Sequence, residues 1–256
     1  MIRLGVCTAS KNASCLADAG FDYLEESFRR VAEYDDAAFA DAKADLAAAG
    51  LCAEAYNGLL PPEPLLLGEG ATVTQFDEYL KKGFARAAEL GGRVAVFGSG
   101  KARRIPDGMS HSEAYDRLAA FAAHLASLAE SFGMRIAIEP LRAAECNAVN
   151  FVADALELTR RAGFPVALGA HADLFHMAEG GDRTASLVLA GSRLYHCHIA
   201  EPITRSVCQS GEHDALYRNF FGTLKAIGYT GRVSFEGGGF SPDMAGQLAA
   251  LLRSFL

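Results

Sequence analysis

What most limits the folds open to this chain is a repeated phrase: a β-type run of five or six residues, a longer Ala-, Leu- and charge-rich stretch, a glycine, then another β-type run. The β-type runs are Arg3–Cys7, Asp22–Glu26, Cys52–Tyr56, Arg93–Gly98, Arg135–Glu139, Val166–His171, Leu194–His198 and Arg232–Glu236. Between them apolar residues recur at three- and four-residue spacing over 37–49, 73–90, 112–132, 151–162, 215–227 and 244–255, which predicts helices with one buried face. Gly20, Gly50, Gly91, Gly133, Gly163 and Gly228 follow helical stretches, where a left-handed cap is expected before the chain turns back. Eight such units without an inserted change of composition predict an α/β fold, a closed (β/α)8 barrel forming one domain over residues 1–256. A doubly wound open sheet is the alternative, but no Gly-x-Gly-x-x-Gly follows the first strand.

Composition agrees and removes several function classes. Half of the 256 residues are hydrophobic, enough for a large core, and the net charge is −7 with no basic block. Nucleic acid is therefore not an expected partner. The six cysteines form no Cys-x-x-Cys pair, so reduced thiols in the cytoplasm are expected rather than a disulfide framework. The first residues read directly as a strand, without a leader, and no stretch approaches a membrane span. Exposed helical faces leave room for a homodimer or homotetramer.

Alternation within the strands says which side chains point inward. In the sixth run Gly169, His171 and Asp173 share a face; in the seventh His196 and His198 share one, opposite Tyr195, Cys197 and Ile199. The outer face must meet helices and be apolar, so the polar sets point into the barrel. Four ionisable residues then stand at the C-terminal ends of four consecutive strands: Glu139, Asp173, His198 and Glu236. Such groups do not serve packing, and that rim is where barrel enzymes do chemistry. Three carboxylates and one imidazole form an oxygen-rich ligand set for one divalent metal ion, Mn²⁺ foremost, with Mg²⁺, Co²⁺ or Zn²⁺ as alternatives.

From the fifth strand to the eighth, these residues resemble the sugar phosphate isomerase/epimerase superfamily, the xylose isomerase-like barrels that include ketose 3-epimerases and hydroxypyruvate isomerases. The Asp-x-x-His-Met pattern stands as Asp173-Leu-Phe-His176-Met177, and Glu139-Pro-Leu-Arg-Ala-Ala-Glu145 keeps a second glutamate six residues after the first. The resemblance implies an isomerase or epimerase of a small sugar, sugar phosphate or related hydroxy-carbonyl compound. It implies that Glu139 and Glu236 are both metal ligands and proton carriers in a cis-enediolate mechanism. Asp173 and His198 are then ligands alone, and His176 and Glu145 contact substrate; a histidine that orients Asp173 is the other reading of His176. Arg205 lies one residue further along than the comparable arginine of those epimerases and is expected at the substrate. His171 and His196 are expected one layer deeper, as donors in the core.

Other residues are read from their position. Asn57 and Glu25, near the ends of the third and second strands, are candidates to line the pocket, and Glu25 is equally a carboxylate of the barrel interior. The segment Gly98-Ser-Gly-Lys-Ala-Arg-Arg104 places Ser99, Lys101, Arg103 and Arg104 where backbone N–H groups and cations could bind a phosphate or carboxylate. A dehydratase of an inosose- or dehydroshikimate-like substrate would use the same quartet. An apurinic-endonuclease-like phosphodiesterase would need further histidines at the ends of the third and fourth strands, where this chain has Asn57 and Gly98-Ser-Gly100. It would also need an aspartate where Gly211 stands near His213.

Overall fold

The computed structural model describes residues 1–256. Its first half contains β1 (Arg3–Cys7), α1 (Ala13–Asp18), β2 (Tyr23–Ser27), α2 (Phe28–Glu33), α3 (Asp36–Ala49), β3 (Ala53–Asn57), α4 (Asp77–Glu89), β4 (Val94–Phe97) and α5 (His111–Ser131). The second contains β5 (Arg135–Ile138), α6 (Val152–Arg161), β6 (Leu168–Asp173), α7 (Leu174–Gly180), α8 (Ala185–Ala190), β7 (Leu194–Ile199), α9 (Asp214–Ala226), β8 (Arg232–Phe235) and α10 (Ala245–Arg253). The eight strands pair in parallel in sequence order, and β8 closes on β1. This is a (β/α)8 barrel. No helix is long and apolar enough to cross a membrane.

Local chemistry places the elements. Ser27, Asp35 and Ser110 cap α2, α3 and α5 by accepting from the backbone N–H three residues on, each cap stabilising its helix by about 1 kcal/mol. Gly50 closes α3 in the left-handed conformation (φ 66°). The helix expected from residue 73 begins at Asp77 instead, because 72–76 form a turn in which Gln75 accepts from the Thr72 N–H. The strand expected over 166–171 runs from 168 to 173, since Pro165 and the left-handed Phe164 (φ 55°) still belong to the turn before it.

The main core lies between the outer face of the strands and the helices, where one cluster holds 71 buried residues. Only Tyr23, Ala55, Val94 and Ala137 form the apolar plug inside the barrel base. Tyr195 packs on that plug rather than facing outward with Cys197 and Ile199. The reason is a bulge: Ala170 pairs with Leu194 and His171 with His196, so Tyr195 is an extra residue in β7. Gly169 makes room for it, because a Cβ there would lie 2.6 Å from the Tyr195 ring. Gly5 serves Tyr23 likewise, at 2.5 Å, and the Tyr23 hydroxyl bonds the Ser234 hydroxyl at 2.6 Å. Below the plug, Glu54 pairs with Arg3 and Arg232. The barrel interior above the plug is thus free to carry polar groups.

Candidate active site

Glu139 and Glu236 stand one residue beyond β5 and β8, and their N–H groups still donate to the neighbouring strands, to the carbonyls of Phe97 and Ile199. Asp173 ends β6 and His198 lies within β7. The ladder therefore fixes all four Cα positions, and the closed barrel brings them together. One donor atom from each lies within 4.8 Å of the other three. The Nδ1 of His198 is 3.2 Å from Glu236 Oε2 and 3.7 Å from Glu139 Oε1.

Each carboxylate is oriented by the fold. Asp173 is the N-cap of α7: its Oδ1 accepts from the N–H groups of Phe175 (2.8 Å) and His176 (3.4 Å). That leaves Oδ2 to face the site. Glu236 Oε1 accepts from Asn57 Nδ2 at 2.7 Å, which turns Oε2 toward His198 and Arg205. Glu139 lies against Gly98, where an added Cβ would sit 2.1 Å from its Oε2. A glycine at the end of β4 is what lets the Glu139 carboxylate occupy this position.

The electrostatics are those of a crowded carboxylate cluster. Burial raises the Glu139 carboxyl above its usual range and carries Asp173 up to about 7. Burial also pushes Glu236 upward, but His198 and Arg205 outweigh it and hold that carboxyl at about 2. Burial takes His176 down to about 3, with Arg205 adding to the effect, so its ring is neutral at ordinary pH. Glu139 Oε1, His198 Nδ1 and His176 Nε2 are buried with no hydrogen-bond partner. Buried unpartnered polar atoms cost about 1–3 kcal/mol each. Three of them converging with oxygen-rich donors fit a hard divalent cation well.

The flanking residues are placed unevenly. His176 makes no hydrogen bond to Asp173 through its ring: Nδ1 accepts from the Arg142 N–H at 3.3 Å, and Nε2 faces Glu139 Oε1 at 3.9 Å and Asp173 Oδ2 at 3.8 Å. Glu145 pairs with Arg142 (2.8 Å) at the mouth, with Arg205 3.9 Å away. Arg205 is no surface arginine. Its guanidinium bridges Asp173 Oδ2 (3.2 Å) and Glu236 Oε2 (2.5 Å) and lies over the Phe175 ring. It holds a left-handed backbone (φ 54°), a strained state for a residue with a Cβ. Its loop is fastened there by the Gly238 N–H donating to the Arg205 carbonyl.

The expected anion loop is corrected at Arg103. Arg103 is fully buried, and its guanidinium donates to the carbonyls of Phe97 (2.8 Å) and Glu139. It ties the ends of β4 and β5 together and cannot reach an anion in solution. Ser99 accepts from the Leu60 N–H, Lys101 lies 3.6 Å from Glu63, and Arg104 is exposed. Arg103 therefore leaves the expected set of four. His213 is paired with Glu201 at 2.8 Å.

The sequence allows Glu25 either at the pocket or inside the barrel, and sets His171 and His196 one layer below the quartet. Glu25 is wholly buried beneath the quartet, with Oε2 2.7 Å from His196 Nε2 and Oε1 2.9 Å from His198 Nε2. His171 is buried beside them, its Nδ1 4.0 Å from Glu139 Oε1. The signal available in the sequence was inward parity: Glu25 is two residues after the inward Tyr23.

Comparison with known proteins follows the same lines. A family model described as a xylose isomerase-like TIM barrel matches residues 14–255. An L-ribulose 3-epimerase of Methylomonas sp. strain DH-1 is 30% identical over 233 residues, covering 89% of this chain and 78% of that protein. An L-ribulose 3-epimerase of Mesorhizobium japonicum is 28% identical over 224 residues, covering 86% and 72%. Among solved structures, a D-allulose 3-epimerase from Methylomonas sp. superposes with a TM-score of 0.85 at 23% identity, covering 100% of this chain and 98% of that one.

Proposed function

This chain belongs to the xylose isomerase-like TIM barrel family, and from that membership and its rim geometry we infer that it is a metal-dependent epimerase of a small ketose, inverting the carbon next to the carbonyl. The observation that carries this reading is the convergence of Glu139 and Glu236 on one imidazole, 3.7 Å and 3.2 Å from His198 Nδ1. The relatives named L-ribulose 3-epimerase supply the substrate class.

Glu139, Asp173, His198 and Glu236 would hold the divalent ion, Mn²⁺ foremost. When bound, it polarises the substrate carbonyl and stabilises the charge of the enediolate. The chain's own groups move the proton. One of Glu139 and Glu236 takes it from the carbon beside the carbonyl, and the other returns one to the opposite face. A planar enediolate between the two steps is what allows the stereocentre to invert. His176 is neutral with its Nε2 unpartnered, suited to a hydrogen bond with a substrate hydroxyl. Arg205, Arg142 and Glu145 hold the rest of the sugar with donors and acceptors at the mouth, and Phe175 supports both guanidinium groups from below. Asn57 steadies Glu236 during the transfer. No histidine stands at the ends of β3 and β4, so phosphodiester cleavage finds no support, and the named relatives do not favour a dehydratase.

The test is a panel of L-ribulose, D-allulose and D-fructose, free and phosphorylated, incubated with Mn²⁺ in D₂O. Deuterium at the carbon beside the carbonyl, together with the epimeric ketose, is the expected outcome. Glu139→Gln lowers that exchange at least about a hundredfold, the usual scale for a lost proton carrier. No exchange in any member of the panel would overturn the reading.

A further inference from the structure

The geometry points to Glu25 as a positioning residue that aims His198 at the bound metal, a role that rests on the metal-dependent reading above. A neutral imidazole has one N–H and one lone pair, and only the lone pair can ligate. His198 Nδ1 faces Glu139 and Glu236 and has no hydrogen-bond partner, whereas Nε2 lies 2.9 Å from Glu25 Oε1. A carboxylate accepts and does not donate, so Glu25 requires the proton on Nε2. The lone pair is thereby left on Nδ1, toward the quartet.

The second oxygen of Glu25 fixes the carboxylate plane. Oε2 is 2.7 Å from His196 Nε2, so one carboxylate is gripped by two imidazoles on the same strand. All three side chains are buried without measurable exposure, and water does not compete for these bonds. A fully buried carboxylate is stabilising only when it is fully partnered. Here the partners are the ligand and a histidine one layer deeper, so the charge is kept where it bears on the ligand. Histidine ligands whose far nitrogen is held by a carboxylate generally lose about 10–100-fold in metal affinity when that partner is removed.

Mn²⁺ binding to the full-length protein tests this without turnover, by electron paramagnetic resonance titration and by the visible spectrum of the Co²⁺ form. Glu25→Gln keeps the size but loses the charge and can offer only one acceptor oxygen. Its Mn²⁺ affinity falls about tenfold or more, and its Co²⁺ spectrum shifts. Tyr23→Phe, which removes another buried hydrogen bond of the interior, that to Ser234, binds Mn²⁺ like wild type. Glu25→Asp keeps the charge and recovers part of the affinity. It also carries the test should Glu25→Gln fail to fold, with weaker binding than wild type as the expected result. Folded Glu25 variants that bind Mn²⁺ within about twofold of wild type would overturn the role of Glu25 alone. Wild-type protein that binds no divalent ion would instead overturn the metal-dependent reading beneath it.

Discussion

Replacing Gly98 by alanine separates catalysis from stability in a single methyl group. The new Cβ would lie 2.1 Å from Glu139 Oε2 and 3.3 Å from its Cδ. An ordinary carbon–oxygen contact is about 3.5 Å, so the carboxylate must withdraw by more than about 1 Å. The atom that yields is the end of a side chain, and the backbone of Gly98 is not left-handed. The fold therefore survives. Alanine even narrows the unfolded ensemble, an effect worth about 0.4–1 kcal/mol in its favour. Activity is another matter, because a displacement near 1 Å at a reacting group costs about a hundredfold. The expected result is a thermal midpoint equal to or above wild type, with deuterium exchange into the ketose reduced about a hundredfold. Wild-type exchange in a folded Gly98→Ala protein would refute the claim that Glu139 works from the position seen here.

Two further outcomes follow from buried groups. Arg103→Met leaves the Glu139 carbonyl without its donor, while the Phe97 carbonyl keeps the Glu139 N–H, so chemical denaturation should show a loss of about 1–3 kcal/mol, the scale for one unsatisfied buried group. A loss of phosphate binding with unchanged stability would contradict that role. Asp173 has its carboxyl raised from 3.8 to about 7 by burial. A raised folded value means that the native state holds the proton more tightly than the unfolded chain. The stabilisation is full below about pH 4 and disappears as pH rises through about 7. Metal-free protein should therefore lose stability across that window, and Mn²⁺ affinity should rise over the same interval as the ion displaces the proton. Calorimetry in buffers of different ionisation enthalpy measures the released protons; no release at pH 6 would count against it.

How much was visible beforehand depended on whether a residue's role was set by its own strand. The quartet was legible because each member combines an ionisable side chain with a β-type run, and the barrel rule supplies the convergence. β1 coincides with its expected bounds, Arg3–Cys7, because alternation and the following turn agree there. The short helices α1, α2, α7 and α8, of six or seven residues, escaped notice since two turns carry too little periodicity. Tyr195 was placed on the wrong face because strict alternation cannot register a bulge, which depends on the partner strand. The roles of Gly98, Arg103 and Glu25 all depend on atoms 36 or more residues away, on Glu139 for the first two and His198 for the third. Composition makes Arg103 look like a surface cation; only the folded chain shows the two carbonyls to which it donates.

Asp173 divides its two oxygens between tasks, one holding the start of α7 and the other turned to the centre. Asparagine caps helices about as well as aspartate, and its single carbonyl oxygen could keep the turn in place while the charge is gone. A descendant of this barrel could therefore lose its chemistry at one codon and remain a well-folded protein. Silent relatives should be recognisable by asparagine at this position above an otherwise intact scaffold.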